Sequence, residues 1–230
     1  MPRFNAPAAP LLALALIPVL AGSLAPLSGC ASTTMRVKES LGIAKREQLV
    51  SEVKDARNAQ QQAKDQFSST MAEFKAITGF NGGALERQYD KLRFEAERCA
   101  DRAGVVRDKI ASVERIANAM FREWDQELTQ YSSETLRAAS AEQLSLTRER
   151  YRQMMTAMKA AQARMRPVLK AFDDQVLFLK HNLNARAIAS LQTTVTELQG
   201  EIDQLIADMN ASIDQANAFI LRMQTDPGAE

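Results

Sequence analysis

Leu27-Ser28-Gly29-Cys30 is the stretch whose residue types and spacing specify a covalent modification. It closes an apolar run that begins at Leu11, and two small residues stand directly before the cysteine. Together with Arg3 near the start, this is the layout of a secretory signal: a basic start, an apolar middle and a small-residue cleavage site. Read as a lipobox, it makes Cys30 the first residue of the mature chain, with lipid on its thiol and on its freed amine. Several acyl chains on one cysteine anchor stably, whereas a single chain holds a protein weakly. The alternative is an uncleaved membrane anchor, but Leu11–Leu27 is broken by Pro18 and Pro26. At about 17 residues it sits at the lower limit for crossing a bilayer. Ala31, not Asp, follows Cys30; under the sorting rule of enteric bacteria that points to an outer-membrane destination.

The other reactive side chains argue mostly by their scarcity. His181 is the sole histidine, and neither Leu177 nor Phe178 upstream of it is acidic. A di-iron carboxylate bundle needs two Glu-x-x-His motifs, and zinc sites need two or three histidines or a cysteine cluster. No metal and no cofactor are therefore expected, apart from the covalent lipid. Nor is there a Gly-x-Ser-x-Gly elbow, a Walker loop or a dinucleotide glycine fingerprint. With Cys30 acylated, Cys99 stands alone; it reads as a small buried apolar residue, with no disulfide framework. Five polar residues gather at one joint of the chain: Lys180, His181, Asn182, Asn184 and Arg186. One reading is an anion, glycan or lipid-headgroup site on the free amides of a helix start. The other, preferred here, has the two asparagines capping helix ends while Lys180 and His181 satisfy the last carbonyls of the preceding helix. Arg148, Arg150 and Arg152 lie among acids and read as a solvated face.

Charge narrows the field further. The full chain carries 29 Lys+Arg against 28 Asp+Glu. Cleavage before Cys30 removes Arg3 alone, leaving 28 of each. A nucleic-acid partner would call for a basic face that such a balance does not supply. Pro167 is the only proline between Cys30 and Pro227, and the chain is rich in Ala, Gln, Glu, Lys, Arg and Met, a composition that favours helix.

These residues must be positioned by helices, because the apolar residues fall into heptads. Leu49, Ala56, Ala63 and Ile77 are spaced by sevens, with Val53, Phe67 and Phe74 between them. Thr78-Gly79-Phe80-Asn81-Gly82-Gly83 supplies the residues a reversal needs. Leu85, Leu92, Cys99, Val106, Val113 and Met120 form the cleanest seam, flanked by Tyr89, Ala96, Ala103, Ile110, Ala117, Trp124 and Tyr131. The slim middle of this segment, Ala96, Cys99, Ala100, Ala103 and Gly104, is expected to let a neighbouring helix approach closely; a ligand cavity is the sharper reading.

Tyr131-Ser132-Ser133-Glu134 breaks the pattern, and Ser140 with Gln143 offers a capping box for the next helix. There Leu144, Tyr151, Met158, Met165, Phe172 and Leu179 repeat by seven, backed by Met155, Leu169, Val176 and Leu183. Pro167 predicts a kink, and the methionines read as adaptable core packing. A last seam carries Ile188, Val195, Ile202, Met209, Ala216 and Met223, alternating with Leu191, Leu198, Leu205 and Phe219. Between the third and fourth seams the phase slips at Asn182-Leu183-Asn184. A hairpin there gives an all-α, elongated antiparallel four-helix coiled-coil bundle. The competing geometry is a three-element coiled coil with a continuous kinked helix over 140–222. The domain plan is a signal peptide over 1–29, a lipidated N-terminus and tether over 30–44, the bundle over 45–223 and a disordered tail over 224–230.

Several stretches resemble a bacterial family, the domain-of-unknown-function family 2959. They are Gly42-Ile43-Ala44-Lys45-Arg46-Glu47 running into Val53-Lys54-Asp55-Ala56-Arg57, and Gly82-Gly83-Ala84-Leu85-Glu86-Arg87-Gln88-Tyr89-Asp90-Lys91-Leu92. The Trp124 region follows, then Asp174-Gln175-Val176-Leu177-Phe178-Leu179-Lys180-His181-Asn182-Leu183-Asn184-Ala185. The likeness covers about residues 35–222 and brings no catalytic residue with it. It implies a secreted or lipid-attached helical protein of bacterial envelopes. The expectation is a non-enzymatic periplasmic scaffold or adaptor, held to the membrane by its lipid and acting on an envelope protein or on itself through helix faces. A bundle that holds a lipid or other hydrophobic molecule between its helices is the alternative.

Overall fold

A computed structural model describes residues 30–79, 85–182 and 184–225, with side chains from residue 44 onward except those of 185–187 and 189. Its elements are four helices in chain order: α1 (Cys30–Thr78), α2 (Leu85–Leu128), α3 (Glu134–His181) and α4 (Ala185–Thr225). At ~1.5 Å per residue each is about 60–75 Å long. Each helix touches its two sequence neighbours in a ring, with α4 closing back on α1. The pairings climb one helix as they descend the next. Lys45 meets Glu123 at 2.6 Å, Lys109 meets Asp55 at 2.6 Å, and Lys91 meets Glu73 at 2.8 Å. The architecture is therefore an elongated antiparallel four-helix bundle.

The apolar heptads form its core. Leu49, Val53, Ala56, Ala63, Phe67, Phe74 and Ile77 of α1 are all buried, as are Ile188, Leu191, Val195, Leu198, Ile202, Leu205, Met209, Ala216, Phe219 and Met223 of α4. Phe172 of α3 reaches diagonally across the bundle and stacks on Phe74 at 5.0 Å and on Phe67 at 6.1 Å. Nearer the other end, Tyr151 packs edge-on between Phe121 at 5.3 Å and Phe219 at 6.4 Å.

Three details depart from the periodicity. The third helix begins at Glu134, not at Ser140: Ser133 is the N-cap, its Oγ accepting the Leu136 amide at 3.4 Å. Ser140 lies inside the helix and instead accepts a hydrogen bond from the Trp124 indole at 2.9 Å. Second, α3 is rolled toward α4. Its inner columns include Met154, Ala161 and Val168, while Leu169 and Val176 are only half-buried on the side of α2. Third, α3 passes through Pro167 as one helix. The chain does reverse after His181, so the continuous 140–222 helix is excluded. At the opposite end, α1 already has helical backbone at Cys30, and the span 30–44 runs on into the same helix.

Candidate functional site

Cys30 is the first residue of α1, while Leu27, Ser28 and Gly29 lie outside the described residues. Fifteen residues on, α1 is clasped by the bundle. Arg46 donates twice to the Met223 carbonyl, at 3.0 and 2.5 Å, capping the end of α4, and Lys45 pairs with Glu123 of α2. The Cys30 end of α1 therefore extends outward from the end of the bundle where α2 and α4 finish and α3 begins. The polar joint lies at the other end.

At that joint the asparagines do the capping. The Asn182 amide donates to the Leu179 carbonyl at 3.1 Å and its side-chain Nδ2 to the Phe178 carbonyl at 2.9 Å. The Asn184 carbonyl accepts from the Ile188 amide at 3.1 Å and opens α4. Lys180 and His181 are exposed in the last turn of α3, where the Lys180 ammonium complements the helix dipole. The side chain of Arg186 lies outside the described residues.

Cys99 is fully buried, facing α1, within 3.1 Å of Thr70 Oγ1. Thr70 Oγ1 also lies 3.2 Å from the Glu95 carbonyl, to which it can donate, and either Thr70 or Cys99 can be the donor between them. Gln66 completes the cluster, its Nε2 donating to Glu95 Oε2 at 2.5 Å. Burial pushes the thiol up to about 12, and the Thr70 hydrogen bond only partly offsets this. A thiol so held carries little of the thiolate that acts as a nucleophile at neutral pH. Among the described residues no three His, Cys, Asp or Glu side chains gather as a metal site, and no helix is long and apolar enough to cross a membrane.

The slim middle of α2 divides between two roles. Ala96 and Cys99 are buried, but the adjoining Ala100, Ala103 and Gly104 open into a groove facing α3. A Cβ placed on Gly104 would meet no heavy atom within 4 Å. Close helix approach is thus not what the glycine serves. The groove encloses about 610 Å³ over a floor that includes Ile110, Met165 and Leu169. Two further hollows continue along the same α2/α3 seam. One of about 640 Å³ lies by Phe121, Leu144 and Tyr151, and one of about 250 Å³ by Tyr89, Val176 and Leu177. The rolled α3 explains them, since turning Met154, Ala161 and Val168 toward α4 lifts the opposite flank away from α2. The slim stretch offered an opening only as the alternative to close helix approach, because residue size does not say whether a neighbour approaches.

One arginine bridges the seam at one end. Arg148 pairs with Asp125, donates to the Phe121 carbonyl at 3.3 Å and lies 5.3 Å over the Phe121 ring. Arg152 pairs with Glu149 on its own helix.

The family model described as Protein of unknown function (DUF2959) matches residues 35–223, nearly the whole bundle. The chain belongs to this family. No curated protein and no solved structure matches it. In this DUF2959 chain the matched span takes in all of α2 and α3, and with them the whole groove.

Proposed function

We propose that this chain is a lipid-anchored, non-enzymatic protein of the bacterial cell envelope, a periplasmic coiled-coil scaffold or adaptor tethered to the outer membrane through Cys30. The observation that carries the reading is that the lipobox cysteine opens the same helix that forms one side of a long rod. A lipid there would hold the Lys45/Glu123 end near the bilayer and point the Asn182 end away, roughly 60–70 Å distant at ~1.5 Å per residue. Such a body presents helix faces, and these are what a partner protein or a second copy would engage. What supports the non-enzymatic part of the reading is that the Cys99 thiol is buried with its pKa raised and that His181 stands exposed at a helix end.

Labelling cells with a palmitate analogue tests the anchor. The wild-type chain is expected to take label and to fractionate with outer membranes, and Cys30→Ser to do neither. Label on the variant, or a wild-type chain that keeps its leader, overturns the assignment. The alternative, a lipid held between helices, is less well supported. Met154 and Met158 are packed in the core cluster, and Met165 reaches only the floor of a groove that is open to water.

A further inference from the structure

The α2/α3 groove has a charge pattern that the balanced composition of the chain conceals. Along its α3 edge the residues at heptad spacing are Arg152, Lys159, Arg166, Asp173 and Lys180, four of the five basic. Each of them lines one of the three hollows of the seam. Arg107 and Arg122 add positive charge from α2. Only part of this is neutralised: Lys159 crosses to Glu114 at 2.8 Å, Arg107 pairs with its neighbour Asp108 at 2.9 Å and Arg152 is held by Glu149, all exposed pairs. The floor between the edges is apolar and low, with Ala100, Ala103 and Gly104 leaving room for another backbone.

A column of like charge at every seventh residue beside an apolar seam is the element that selects a partner helix in coiled coils. It asks for a strand of acids at the same spacing. Lipid is a poorer match, because acyl chains need enclosure from water, and this trough lies open along its length beside exposed Arg107, Lys159 and Arg166. We propose that the α2/α3 groove receives an amphipathic helix of a partner protein, with small apolar residues on its buried face and glutamate or aspartate along its flank, so that it docks as a fifth helix. This rests on the adaptor reading and names the partner chemistry that the reading leaves open. Helix-in-groove docking takes its affinity from the apolar anchors, and the flanking charges set partner choice and register.

The test uses the purified full-length protein and two labelled four-heptad peptides with the same Leu/Ala seam, one flanked by Glu and the other by Lys. The Glu peptide is expected to bind and become helical, to weaken as salt is raised, and to outcompete the Lys peptide by about tenfold or more. Lys159→Glu with Arg166→Glu should reverse that preference, and Gly104→Trp should fill the trough and abolish binding, while Gly104→Ala leaves it intact. Equal binding of the two peptides, binding of neither, or a preference unmoved by the charge reversal overturns the proposal. Displacement of the Glu peptide by phosphatidylglycerol vesicles overturns it in favour of a headgroup site. In cells, photo-crosslinkers at Arg166 and at Asp214 on α4 separate the two readings. Adducts from Asp214 alone remove the groove and keep the adaptor, and adducts from neither remove both.

Discussion

Ser212 of α4 donates a hydrogen bond to the side-chain carbonyl of Gln60 of α1 at 2.9 Å, and neither residue is exposed at all. Both occupy heptad positions where an apolar residue would otherwise sit: Gln60 falls between Val53 and Phe67, and Ser212 between Leu205 and Phe219. Gln60 Nε2 has no partner, so the layer is held by one bond and carries one orphan donor. A buried polar layer of this kind costs stability and fixes register.

Ser212→Ala should therefore destabilise the bundle by about 1–3 kcal/mol, because it strips the only partner from a buried amide. Gln60→Leu combined with Ser212→Ala should be neutral or stabilising, since both polar groups leave together. Urea unfolding of the two single variants and the double variant measures the coupling. A double variant less stable than Ser212→Ala would show that the layer is a net stabiliser.

The Cys99 thiol should resist alkylation at pH 8 in the folded protein and react once urea unfolds it, because burial keeps it protonated. The same shift makes the fold sensitive to alkali. The folded thiol titrates near 12 against an ordinary value of 9.0, so the unfolded chain loses its proton first. That contribution is intact below pH 9 and is lost as pH rises toward 12, at roughly 1.4 kcal/mol per pH unit. Tyr151, pushed to about 12 by burial and by the nearby Glu114 charge, acts in the same sense. Cys99→Ala should flatten the alkaline limb of a stability–pH curve; an unchanged limb would refute the assignment.

Gly104→Ala and Gly200→Ala should each stabilise by about 0.5–1 kcal/mol. Both glycines sit inside helices, and an added Cβ meets nothing within 4 Å. The gain is the chain entropy that glycine loses on folding. Thermal unfolding reads it directly, and a lower melting temperature for Gly104→Ala would mean that the groove closes over that position.

Phe172→Ala should cost about 3–5 kcal/mol, the range for a fully buried aromatic. It removes the diagonal stack on Phe74 and Phe67, which joins helices that are otherwise not neighbours in the ring. Loss of under 1 kcal/mol would mean that α1 and α3 do not meet there.

Much of this architecture was legible in the chain because each seam keeps a constant spacing and the joints interrupt it. The reversal at Asn182-Leu183-Asn184 announced itself by a phase slip, and the asparagines by their capping habit. The start of α3 was harder to see. Its first turns, from Glu134 to Ala139, are exposed, so no apolar period marks them, and the Ser140-Gln143 pair imitates a cap. The roll of α3 was invisible for a different reason. Met154 and Met155 are both apolar and lie about 100° apart on a helix, and only the neighbouring helices decide which packs deeper. Gln60 and Thr70 read as gaps in the first seam and Ser212 as one in the last; that they answer one another, or Cys99, across the core is a fact of register that no single segment contains. The Cys30 lipobox rests on sequence alone, while the groove became visible only with the helices in place.

The clasp of Arg46 on the Met223 carbonyl brings the beginning and the end of the folded chain side by side. A polypeptide emerging amino-terminus first thus waits for the end of α4 before α1 can be sealed. Until then Gln60 faces an empty slot, and three helices form an open sheet with a greasy side. Whatever guards the chain during that interval must shield the inner face of α1, and truncations that remove the last turn of α4, Met223 included, should leave that helix unlatched.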